Sequence, residues 1–303
     1  MLYKPAMKKF TGFCFLWLII GLHTLYAQSA GSKLEFNFTD GYQRENFHWS
    51  IAGNSNGQSP NVFSELKWTK LSGQSIAASL QYNVYQRFNI YADYARQFIT
   101  SGSANDSDYS TDNRTGNTYN ETFDAGKGHT KGWALGAGYQ LINNNWLNLT
   151  PYAGYSDNRQ SLYLYGSGNR FPNLNSSYQT RWKGVFIKAI ASIKLIEKLK
   201  FNAAITYNQV GYNALGNWNL ITTFQHPVSY RHHANGYGLN MNGALAYSIT
   251  NQIAIQAGGG YLHWQTGNGI DELYLNSGEV DKTQMNGAYR TGFRVFGGLK
   301  ISF

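Results

Sequence analysis

The sequence predicts an all-β chain, a ten-stranded antiparallel transmembrane β-barrel with long extracellular loops. Three observations carry that prediction. No segment after the first thirty residues approaches 18 uninterrupted apolar residues, since Lys188 and Lys194 break the best candidate, Val185 to Ile196, so spanning helices are excluded. Period-two alternation recurs instead, with Tyr and Trp at segment ends and Asn, Gln, Ser, Thr and Lys on the alternate face. Aromatic residues make up 16% of the chain and charged residues only 14%, against about a quarter charged in ordinary soluble domains.

Residues 1–27 read as a cleavable export signal. Lys4, Lys8 and Lys9 precede an apolar core, Phe10 to Leu22, too short to span stably, and Ala27 offers a small residue before Gln28. Residues 28–303 form the expected barrel domain. The signal holds three lysines and no acid, so the net charge of +9 falls to +6, and the single cysteine, Cys14, leaves with it. The mature chain then has no disulfide, thiolate nucleophile or Cys-ligated metal. No cofactor and no metal site is expected. Its positive charge is dispersed rather than gathered into a stripe, which gives nucleic-acid binding no support.

Ten segments alternate: roughly 35–52, 62–84, 87–101, 119–142, 146–166, 179–196, 199–214, 228–250, 252–267 and 286–303. In Ile76 to Val84 the even positions are apolar, and from Phe293 to Phe303 the odd ones are. Short links at Tyr85-Gln86, Asn143-Asn144-Asn145, Glu197-Lys198 and Asn251-Gln252 predict turns at one end. Longer loops are expected near 53–61, 101–118, 167–178, 212–227 and 267–285, with the Ser-, Asn- and Asp-rich run 101–121 flexible. Each segment exceeds the ~9–11 residues that cross a bilayer, so strands should project beyond it. Pro151 within a strand removes one ladder bond. A barrel of this size is normally filled by its own side chains.

Several stretches resemble omptins, the ten-stranded outer-membrane endopeptidases of Gram-negative bacteria: Val62 to Trp68, Lys131-Gly132-Trp133, Pro151 to Tyr155 and Tyr178 to Trp182. The resemblance implies an outer-membrane location and a catalytic apparatus in which an Asp-Asp couple faces an Asp-x-His dyad, with His as the base. Asp106 and Asp108 match the couple. At the dyad positions stand Asn217 and Asn219, and amides accept no proton at neutral pH. No Asp or Glu lies between Glu197 and Asp271, so His226, His232 and His233 have no local carboxylate, and Asp271-Glu272 reads as a solvated loop tip. Residues 46–64, where the family places acids that select basic substrates, hold none. Proteolysis of the usual kind is not expected.

On the fifth segment the outward parity is odd, and Asp157 and Arg159 continue it beyond the apolar band. On the sixth, Arg181 and Lys183 share the outward parity of Val185 and Ile187. Three cations near the outer rim point to anionic partners, since guanidinium binds phosphate bidentately. The resemblance implies a lipopolysaccharide site at Tyr155, Asp157, Arg159 and Arg181, beside Lys183. The expected function is therefore a lipopolysaccharide-associated barrel whose loops bind an extracellular peptide or protein in an adhesin-like role. The alternatives are an active endopeptidase with a rearranged base, His226 acting with Asp106 and Asp108, and a narrow pore.

Overall fold

A computed structural model describes residues 33–166 and 170–303; the export signal expected at 1–27 lies outside the described residues. Among the described residues no helix is long and apolar enough to cross a membrane. The described residues fold as thirteen antiparallel strands: β1 (Leu34–Ile51), β2 (Ser64–Tyr85), β3 (Phe88–Ile99), β4 (Ser101–Thr111), β5 (Thr115–Asp124), β6 (Gly128–Tyr139), β7 (Ile142–Asn143), β8 (Leu147–Tyr165), β9 (Asn175–Ile196), β10 (Leu199–Asn217), β11 (Tyr230–Ser248), β12 (Ile253–Tyr274) and β13 (Val280–Ser302). The sheet closes on itself, because β1 pairs with β13 on one edge and β2 on the other.

The count differs from ten for identifiable reasons. The third and fourth expected segments are each interrupted, at Thr100 and at Ala125–Lys127, so that β3 and β4 both pair with β2 while β5 and β6 both pair with β8. Gly128 sits at this joint with φ 128, a conformation that side chains disfavour. The two-residue β7 adds the remaining strand.

The loop expected near 101–118, within the run 101–121 read as flexible, is instead part of the hairpin β4–β5. Its polar side chains do not solvate a loop; they stitch the two strands. Asn105 Nδ2 donates to Asn120 Oδ1 at 2.7 Å, Ser110 Oγ to Gly116 O at 3.0 Å, and the Thr111 and Thr115 hydroxyls bond at 2.7 Å. Strands β9, β10, β12 and β13 likewise run further into the expected loops than alternation alone suggested.

Alternation sorts the side chains. Leu135, Val185, Ile187, Ile205, Leu245 and Val295 are exposed on the outer face. Tyr94, Trp133, Tyr155, Tyr207 and Tyr237 border that apolar zone on the long-strand side, and Tyr82, Phe88, Tyr139, Trp146 and Tyr247 border it on the short-turn side. From Phe88 to Tyr94 is six residues, about 20 Å of strand, the scale of the apolar band of an outer-membrane barrel.

Inside, the two halves differ. Toward the long-strand end the lumen is filled by Phe47, Leu66, Trp68, Tyr178, Trp182, Tyr212 and Trp264, each 1% exposed or less. Neighbouring rings meet at tilted or edge-on angles; Trp182 lies 4.4 Å from Tyr212 and 5.7 Å from Trp264, centroid to centroid. Glu45 crosses this layer to Arg290, holding Nε at 2.8 Å and Nη2 at 2.7 Å. Below it a polar cavity of about 1020 Å³, lined by Glu35, Gln81, Asp93, Lys188, Lys194 and Lys300 among others, reaches the turn residues Gln86 and Asn144. The aromatic layer separates this cavity from the opposite mouth.

Candidate functional site

The mouth is built where β2, β4 and β5 rise above the barrel wall. Asp106 lies opposite Leu66 on β2 and Glu121 on β5, and Asp108 opposite Ser64 and Tyr119. Leu66 faces the interior, so both aspartates turn inward, and both are half-buried. Burial, and after it the Asp108 carboxylate, pushes Asp106 up from its usual 3.8 to about 7. Asp108 is raised too, by burial outweighing its hydrogen bond with Ser64. Across the hairpin the Tyr119 phenol is pushed up to about 12, by burial first and the Asp106 charge second.

On the facing wall, β11 and β12 place His232 directly opposite Asp271. His232 Nε2 lies 3.0 Å from Asp271 Oδ1, without the alignment of a good hydrogen bond, and Nδ1 is 2.7 Å from the Tyr178 hydroxyl. Tyr178 bonds in turn to Tyr212 at 2.7 Å, and Thr283 Oγ1 donates to Asp271 Oδ2 at 3.0 Å. Two expectations are corrected here. Asp271 and Glu272 belong to β12 and are not a loop tip, and His232 does have a carboxylate beside it. His232 is fully buried and Asp271 is 4% exposed, with the rings of Trp49, Tyr178 and Tyr230 packed on the imidazole.

The expected dyad positions do other work. Asn219 Oδ1 accepts from the Asn175 N–H at 2.9 Å and the Ser176 hydroxyl at 3.2 Å, and its Nδ2 donates to Asn173 O at 2.9 Å. It ties the β10–β11 loop to the β8–β9 loop. Asn217 Oδ1 is 2.8 Å from His226 Nδ1, and His226 Nε2 is 3.2 Å from Ile221 O. Both ring nitrogens of His226 are thus taken up by the end of β10 and the loop that follows it.

On the outer wall the structure brings the other predicted residues together. Asp157 of β8 stands opposite Lys183 of β9, and Arg159 opposite Arg181. Arg159 reaches Asp157 with Nε and Nη2, both at 3.0 Å, and Arg181 reaches it at 2.8 and 2.5 Å. The Asp157 side chain is 1% exposed, and the Arg159 and Arg181 side chains over it are each 45% exposed. Each guanidinium therefore keeps donors directed away from the wall. Tyr155 and Lys183 flank the cluster on the same face.

A closed antiparallel sheet, apolar outside between two aromatic borders and polar within, defines an outer-membrane β-barrel. A family model described as Pom, Protochlamydia outer membrane protein, matches residues 37–303, and the chain belongs to that family. It is therefore an outer-membrane protein. Among solved structures it is similar to the outer membrane protease OmpT from Escherichia coli, at 15% identity over 91% of this chain and 99% of that one, with a TM-score of 0.73. That is a likeness of fold, and it makes this an omptin-like barrel. Two others match with TM-scores of 0.37: the translocator domain of the autotransporter NalP from Neisseria meningitidis, at 10% identity over 95% and 93% of the two chains, and OprG from Pseudomonas aeruginosa, at 11% over 90% and 99%. A comparison with curated proteins finds no match.

Proposed function

We propose that the chain is a ten-staved barrel that holds a phosphorylated lipid of the lipopolysaccharide class on its outer wall and offers its acidic mouth to an extracellular peptide or protein. The count of ten rests on taking β3 with β4, and β5 with β6, as single interrupted staves, with β7 outside the count. One observation carries the lipid reading: Arg159 and Arg181, clamped by the buried Asp157, present half-exposed guanidinium groups just beyond Tyr155. A charge near the bilayer midplane costs ~2–4 kcal/mol, falling toward zero at the interface, so cations at this height favour contact with anionic headgroups. The test is Arg159→Ala with Arg181→Ala. Lipopolysaccharide copurifying with the barrel and its thermal stability should both fall, and if neither changes the reading is wrong.

A second reading, an endopeptidase with a rearranged base, draws on Asp106–Asp108 and His232–Asp271 facing one mouth. Its weakness is that His232 has no exposed surface, with Nδ1 bonded to the Tyr178 hydroxyl and Nε2 turned to Asp271 inside the packed layer. Cleavage of a peptide library by barrels refolded with lipopolysaccharide, lost in Asp106→Ala/Asp108→Ala, would establish it. An absence of cleavage by folded protein would leave a binding role for the mouth.

A further inference from the structure

The Arg159–Arg181 couple is one end of a longer row. Arg96 of β3 stands opposite Lys131 of β6, Lys131 opposite Arg159 of β8, and Arg159 opposite Arg181 of β9. All four leave the wall on its lipid side: Arg96 shares the face of Tyr94 and Phe98, Lys131 that of Trp133 and Leu135, and Arg159 that of Tyr155. Arg96 and Lys131 lie two residues beyond Tyr94 and Trp133, which puts the row at the headgroup level just outside the aromatic border. Strands lie ~4.8 Å apart, so four adjacent positions cover about 14 Å of wall.

Like charges directly opposite one another on a sheet repel. Asp157 compensates one end only. Among the described residues Arg96 and Lys131 form no ion pair with an acid, and Arg96 Nε is shielded from solvent without a hydrogen-bond partner. The Arg96 guanidinium lies 4.7 Å from the centre of the Phe98 ring, which orients it along the wall. This half of the row carries uncompensated positive charge at a height where phosphates reside.

We infer that the row is a two-anion site, in which Arg159 and Arg181 take one phosphoryl group and Arg96 and Lys131 take a second. The midpoints of the two pairs are two strand spacings apart, about 10 Å. Two phosphates at opposite ends of a disaccharide headgroup suit that separation, and the single phosphodiester of a common phospholipid does not bridge it. The ligand class is therefore a diphosphorylated glycolipid, and the lipid side of the wall favours a headgroup over a soluble phosphate. This inference rests on the lipid reading of Arg159 and Arg181.

The experiment measures binding of diphosphoryl lipid A, monophosphoryl lipid A and inorganic pyrophosphate to the refolded barrel by native mass spectrometry. Wild type is compared with Arg96→Gln/Lys131→Gln and with Arg159→Gln/Arg181→Gln, each first shown to be folded by heat-modifiable migration. Wild type should prefer the diphosphoryl lipid by about tenfold, the worth of one charge-assisted contact. Arg96→Gln/Lys131→Gln should erase the preference and keep monophosphoryl binding, while Arg159→Gln/Arg181→Gln should lose both lipids. No preference in wild type, or one that survives in Arg96→Gln/Lys131→Gln, overturns the two-anion site and leaves the proposed function standing. If Arg159→Gln/Arg181→Gln also changes nothing, the lipid reading fails with it. Pyrophosphate binding as tightly as the lipid would make the row a soluble-anion site and overturn the assignment of source.

Discussion

Replacing Asp106 with Asn removes a carboxyl that the folded mouth holds against its preference. Asp106 ordinarily titrates near 3.8 and is pushed to about 7 by burial and by Asp108. Below pH ~4 both the folded and the unfolded chain carry the proton, and the group contributes nothing. Between about 4 and 7 the unfolded chain loses the proton that the folded chain keeps, so folding stability falls as pH rises, and above 7 the loss is constant. At ~1.36 kcal/mol for each factor of ten in proton affinity, the ceiling is about 4 kcal/mol. Partial exposure and charge coupling to Asp108 bring the expected figure to ~1–2 kcal/mol. The assay is thermal unfolding in detergent, followed by tryptophan fluorescence at pH 4 and pH 8. Asp106→Asn should gain on wild type between the two values, with the difference opening across pH 4–7. A difference that stays flat over that window refutes the buried-carboxyl account of the mouth.

Four further outcomes are expected. Glu45→Gln leaves the buried Arg290 without its bidentate counter-charge and should cost about 3–5 kcal/mol in urea unfolding. Trp182→Ala with Trp264→Ala should open the layer between cavity and mouth, so planar bilayers that show no steady current with wild type should show one with the double variant. Equal current from both would mean the aromatic layer is no barrier. Asn219→Ala should speed proteolytic nicking at 170–176 and leave the barrel's unfolding temperature unchanged, since its three bonds tie loops together. Asp271→Asn should lower stability while leaving any peptide cleavage unaltered; a loss of about 10²–10⁴-fold would instead identify His232 as a working base.

The barrel was legible because its signal repeats along every stave: a period of two, a change of composition between faces, and aromatic residues at the borders. The outward placement of Arg159, Arg181 and Lys183 needed only parity, and parity survives wherever a strand is regular. The pairing of His232 with Asp271 was not legible for a specific reason. Counting back from the turn after Ser248 places Ile270 opposite His232, and a register shift between Ala234 and Gly236 moves the partner to Asp271. One inserted residue changes which face a side chain takes. The same limit hid the β4–β5 hairpin, whose Ser, Asn and Thr residues read as a loop until their partners across the ladder were known. It also hid Arg96 and Lys131 as neighbours of Arg159, because alignment across three ladders depends on every turn and bulge between them.

The location of charge along the barrel follows one physical rule, and the functional reading depends on it. In the lumen every buried cation near the aromatic layer has an acid or a set of acceptors: Arg290 has Glu45, Lys188 has Asp93, and Arg294 has Thr39 and the Ser75 carbonyl. These pairs hold the interior shut, as a low-dielectric core requires. On the outer wall the rule lapses at the row from Arg96 to Arg181, where among the described residues one carboxylate, Asp157, pairs with two of the four cations. At the mouth it lapses with the opposite sign: Asp106 and Asp108 lie side by side on one face of β4, and among the described residues neither forms an ion pair with a cation. A histidine–carboxylate pair does exist beside that mouth, but it is packed beneath Trp49, Tyr178 and Tyr230 as part of the layer that fills the barrel. On the proposed function the unbalanced charges are the surfaces left for ligands, cationic toward the membrane and acidic toward the exterior, while the His232–Asp271 pair lies within the packed layer.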